Sequence, residues 1–172
     1  MAMLPLHPKL VHLPIALAAL MPLVSAGLLI AWWRGALSRR TWVIAIALQA
    51  ILVVSGLAAI KTGGQDEERV ERVVPEAAIE AHEEAAEAMI WVAAGVLLLA
   101  AAAMVPRERA GQLVAAVTVA GTVAVLGLGI RAGDAGGRLV YQHGAASVYA
   151  PAAAPGAPPG APTPARADDD DD

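Results

Sequence analysis

Four stretches of the chain, residues 10–33, 41–60, 88–105 and 110–130, run without a single Asp, Glu, Lys or Arg. Roughly 20 apolar residues in a helix cross a hydrocarbon core about 30 Å thick, so each stretch predicts a spanning helix. Backbone polar groups in lipid must be satisfied within the segment itself, which makes the fold class an all-α four-transmembrane-helix bundle. A different pattern fills residues 61–87. There Val70, Val73, Val74, Ala77, Ala78 and Ala81 fall on one helical stripe and Glu76, Glu80, Glu83, Glu84 and Glu87 on another. The spacing predicts an amphipathic helix in the second loop, bent at Pro75. Following its apolar stripe onward gives Ala78, Ala81, His82, Ala85, Ala86 and Met89, which puts His82 on the buried face and not among the glutamates.

After the fourth span, Gly133, Gly136 and Gly137 predict a turn, and Arg138-Leu139-Val140-Tyr141-Gln142-His143-Gly144 a short segment folding back on the bundle. From Ala150 onward a Pro/Ala/Gly run ends in five aspartates, a composition that cannot offset the entropy of ordering and predicts a disordered tail. The domains are therefore a four-helix transmembrane domain, 1–149, and a tail, 150–172. Two helical hairpins with basic turns form a loose two-fold pattern, and no repeat beyond that is convincing.

Composition agrees: 58% hydrophobic residues, mean hydropathy +0.59 and 16% charge describe a membrane protein. The first span lacks a basic n-region and exceeds a typical signal-peptide core, so it is expected to persist. Zero cysteines exclude disulfides, thiolate metal sites, iron–sulfur clusters and covalently attached haem. The net charge of -4 comes partly from the tail, and no basic patch suits nucleic acid. Short turns carrying Arg34, Arg39 and Arg40, and Arg107 and Arg109, are expected in the cytoplasm, leaving both termini outside. Trp32, Trp33 and Trp42 bracket the first turn as an interfacial aromatic belt would.

That topology gathers His7, His12, His82 and His143 at one membrane face. His12 lies one turn into the first helix, on a row with Ala16, Ala19, Leu23 and Gly27, and is expected to point into the bundle. Ionisable side chains facing a bundle interior are costly and default to a functional reading. A b-type haem would take neutral imidazoles as axial ligands, with His12 and His82 the preferred pair and His143 or His7 as substitutes, and Arg131 and Arg138 as cations for its carboxylates. One alternative is a transition-metal ion held by His12, His82 and His143. The other is a structural or assembly subunit without a cofactor, its histidines bonded to main-chain carbonyls at helix ends. Gln49, Ser55, Thr118 and Thr122 are expected to hydrogen-bond between helices, and Gly27, Gly56, Gly121 and Gly129 to be packing points. No phosphate loop or hydrolase constellation is present, so an enzyme reading has little support. The lipid bilayer is one partner, redox proteins such as cytochromes are expected with haem, and an oligomer stays open.

The opening HPKLVHLPIAL, Thr62-Gly63, His82-Glu83 and the late GGRLVYQHG together resemble a bacterial family of four-helix membrane proteins catalogued as a domain of unknown function, over roughly residues 5–149. The resemblance implies four spans in a bacterial inner membrane. Some relatives are fused to cytochrome-like domains, which implies a redox role. Asp134 stands where relatives can carry a further histidine, and Gly144-Ala145-Ala146-Ser147 replaces their Gly-Val-Gly-Val-like ending.

Overall fold

The computed structural model describes residues 7–105 and 107–149; the expected disordered tail lies outside them. A short helix, α1 (His7–Leu10), leads into α2 (His12–Trp33). A 3-10 turn at Arg39–Trp42 opens α3 (Val43–Val70), followed by α4 (Glu76–Ala102), α5 (Glu108–Tyr141) and a final 3-10 turn at Ala145–Tyr149. Segments His12–Trp33, Arg39–Gln65, Glu76–Ala102 and Glu108–Tyr141 are long and apolar enough to cross a membrane. α2 packs on α3 and α5, and α4 on the same two helices, so the bundle closes as a ring.

Lipid is as apolar as a protein core, so hydrophobicity alone cannot choose a helix's inner face, and small or weakly polar residues mark it instead. Ser25, Gln49, Thr118 and Thr122 are fully buried alongside Met21, Leu52 and Val125, whereas Leu23, Trp91 and Leu98 are more than 70% exposed. Gly56 lies against Ile90, Gly121 against Val96, and Gly129 against Met89 and Ala18, as expected of packing points; Gly27 faces open space. Gln49 Nε2 donates to the Ala93 carbonyl at 3.0 Å, bridging α3 to α4, and the Ser25 and Thr122 hydroxyls meet at 3.4 Å across α2 and α5. The hydroxyls of Ser55 and Thr118 bond instead within their own helices.

Three local expectations change. The 61–87 segment is helical but broken, not bent: it forms the projecting arms of α3 and α4, and Pro75, with ψ of 134°, is the N-cap from which α4 starts. Val74 and Ile79 are buried with Ala145 in a small second core, against which Val70, Ala78 and Leu139 pack. The glycines at 133, 136 and 137 do not make a turn. α5 continues through them to Tyr141, and the chain reverses only at Gly144, whose φ of +69° few other residues adopt. Nor do the tryptophans form a belt, because Trp32 and Trp42 are buried with ring centroids 6.3 Å apart. Their indoles donate to Glu108 Oε1 at 3.2 Å and to the Ala100 carbonyl at 3.0 Å, leaving Trp33 exposed. A buried indole N–H needs a partner, and the ends of α4 and α5 offer one to each ring.

Candidate functional site

At the opposite end of the bundle, two histidines meet. Pro14 has no N–H to bond the Leu10 carbonyl, and α1 ends at Leu10 before α2 begins. The break lets α1 lean onto α3 and brings His7 to the Ala59 carbonyl, with Nδ1 2.8 Å from the oxygen. His82, half-buried on α4, places its Nδ1 3.0 Å from the Ala132 carbonyl of α5. The two ring centroids are 6.4 Å apart, and the planes stand at 83°.

A carbonyl can only accept, so each Nδ1 carries a proton, and in the neutral imidazole each Nε2 then keeps its lone pair. The arrangement therefore selects the same tautomer for both rings. Chemically it can offer two nitrogen ligands or two proton acceptors, or hold two helix pairs together. No hydrogen bond from the described residues reaches either Nε2.

The placement of His82 agrees with the apolar stripe, since Ala85 and Met89 on the same face are buried. The expectation for His12 does not hold. It is exposed, and so are Ala16, Ala19, Leu23 and Gly27, because α2 turns Pro14, Leu17, Ala18, Met21, Ser25, Leu29 and Trp32 inward instead. The stripe failed on α2 because that helix is apolar all round, and its small residues occur on both faces. The structure thus pairs His82 with His7, not His12. His143 is half-buried in the turn after α5. Arg131 and Arg138 are exposed on α5, and Arg138 borders an open hollow of about 430 Å³ with Asp134 and Tyr141. A second hollow, of about 220 Å³, lies between α3 and α4 beside Leu57, Glu87 and Trp91. Neither hollow is lined by a histidine. Among the described residues no three His, Asp or Glu side chains converge as a metal site.

Sequence reasoning missed the acceptors of the two imidazoles, Ala59 and Ala132. A signal was available. Both begin the pattern Ala-x-x-x-Gly-Gly, at residues 59–64 and 132–137.

A family model described as a predicted membrane protein, DUF2231, matches residues 3–148. No curated protein and no solved structure matches the chain.

Proposed function

The chain belongs to the DUF2231 family of predicted membrane proteins, and on that premise we propose that it is a multi-pass protein of a bacterial inner membrane that holds one b-type haem between His7 and His82. At that end of the bundle it exchanges electrons with redox proteins such as cytochromes. One observation carries the reading: both imidazoles give their Nδ1 proton to a main-chain carbonyl, at 2.8 Å and 3.0 Å. Histidines that ligate a metal almost always donate their other ring N–H in this way, which fixes the tautomer and raises the basicity of the ligating nitrogen. Spacing supports it as well. The ring centroids are 6.4 Å apart, near enough that both imidazoles could reach one metal through bonds of about 2 Å. A chain without Cys can take haem only non-covalently. The cofactor would supply the one-electron chemistry; the chain would ligate through Nε2, with Arg131 and Arg138 as cations for the carboxylates. The basic turns favour a cytoplasmic tryptophan end and an external histidine end.

A second reading, a structural or assembly subunit, has its own observation: the rings already meet edge to face, within the range of favourable ring contacts. In it the pair joins α1 and α3 to α4 and α5. A bound ion ranks below both readings, since two imidazoles supply half of a tetrahedral set.

The deciding experiment is the absorbance spectrum of detergent-purified protein, expressed with haem supplied, before and after reduction. Haem ligation gives reduced Soret and α bands that His7→Ala and His82→Ala each abolish or shift while helical content stays unchanged. A colourless wild-type protein refutes the haem reading, and a metal assay then separates an ion site from the structural pair.

A further inference from the structure

We infer that α3 and α5 carry one imidazole seat twice, as Ala59-x-x-x-Gly63-Gly64 and Ala132-x-x-x-Gly136-Gly137, and that Gly63 and Gly136 are the positioning residues that hold His7 and His82 as a matched pair. The inference rests on the haem reading only for what the pair would bind.

A helical carbonyl points along the axis toward the N–H four residues on. A side chain from another helix reaches its remaining lone pair only from the side, across that later residue. For Ala59 the residue is Gly63, and for Ala132 it is Gly136. A Cβ built on Gly63 would stand 3.2 Å from His7 Cε1, 3.3 Å from Nδ1 and 3.8 Å from Nε2. Built on Gly136 it would stand 3.0 Å, 3.3 Å and 3.8 Å from the same atoms of His82. Each ring thus lies on its glycine by Cε1 and Nδ1, with Nε2 next at ordinary van der Waals distance. The glycines that follow do no such work. A Cβ on Gly137 meets nothing within 4 Å, and one on Gly64 meets only the tip of Glu67 at 4.0 Å.

The residues inside the two patterns, Ile60-Lys61-Thr62 and Gly133-Asp134-Ala135, have nothing in common. What recurs is what the geometry requires: a small residue offering its carbonyl, then a glycine four residues on. Gly is the poorest helix former after Pro, yet both helices run unbroken through these positions. Each seat also lies in the same hairpin as its histidine, after an intervening basic turn: α1 and α2 with α3, and α4 with α5. The bundle therefore has an internal two-fold relation that converges on the two rings.

The test uses the full chain in detergent and Gly63→Ala, Gly136→Ala, Gly64→Ala and Gly137→Ala. Each adds the same methyl and the same helix preference, so the variants differ in what the methyl meets, and circular dichroism checks that all four remain folded. Nitrogen NMR of the histidine rings reads the seats without any ligand. Wild type should show His7 and His82 as Nδ1–H tautomers; Gly63→Ala should disturb His7 most and Gly136→Ala His82 most, while the other two match wild type. In a haem titration the two seat variants should lose about 10- to 100-fold in affinity, the usual effect of losing a ligand's outer partner. Seat variants indistinguishable from the controls in the NMR spectra would overturn the inference. A colourless wild type with the expected tautomers would refute haem and leave the seats standing, whereas a haem protein with four equivalent variants would do the reverse.

Discussion

Gly111→Ala and Gly27→Ala add one methyl group each, and the structure assigns them opposite signs. In a helix Ala is favoured over Gly by about 0.8–1.0 kcal/mol. At Gly27 the new Cβ meets nothing within 4 Å, so that gain is kept. At Gly111 it would stand 2.6 Å from the Ala103 carbonyl oxygen and 3.1 Å from the Trp32 ring. Neither neighbour yields easily, because the oxygen belongs to main chain at the end of α4 and the indole is tied to Glu108 at 3.2 Å. Overpacking of this kind costs about 1–3 kcal/mol. Gly111→Ala should therefore be destabilised by up to about 2 kcal/mol, and the two variants should differ by about 1–3 kcal/mol. Equilibrium unfolding in mixed micelles, followed by circular dichroism, measures the difference. Equal stability of the two variants would refute the close approach at the α4–α5 turn, and a destabilised Gly27→Ala would mean that the outward face of α2 is covered.

Gln49→Leu should be neutral or stabilising by about 1 kcal/mol, since Gln49 Oε1 is buried without a partner among the described residues and an orphaned acceptor costs about 1–3 kcal/mol, which offsets the lost bond to Ala93; a loss above about 2 kcal/mol in the same unfolding assay would show that the oxygen is satisfied. Reporter fusions after Trp33 or Val105 should be cytoplasmic and one near Gln65 external, and the reverse labelling would invert the orientation drawn from the basic turns.

The four spans were legible because charge-free runs of this length have few other uses, and His82 was legible because α4 carries a polar stripe against which an inner face can be read. On α2 no such contrast exists. His12 and His7 are both near its start, and choosing between them needed the tertiary contact by which α1, freed at Leu10, leans on α3. The glycines of α5 were misread for a related reason. Propensity treats Gly133, Gly136 and Gly137 as a stop, but α4 packs there and His82 lies on Gly136, so tertiary contact overrides the local preference. The tryptophans near the first turn fit a belt by position, and only the acceptors at Ala100 and Glu108 draw two of them inside.

At 34 residues, α5 is about 51 Å long at 1.5 Å per residue, well beyond a hydrocarbon layer of about 30 Å. Its charge-free run, 110–130, begins almost at its first residue, so nearly all the surplus length emerges at the histidine end. Gly136, half-buried against His82, lies on this emergent stretch beyond the charge-free run, and Ala132, just past the end of that run, is buried beneath the ring that it holds. Between that end and the Trp32–Trp42 floor, the buried polar side chains among the described residues are one amide and three hydroxyls, and none is titratable. If the imidazole pair holds a cofactor, as proposed above, the two basins of the bundle are unequal: the histidine end would be its berth, and the tryptophan end a plug.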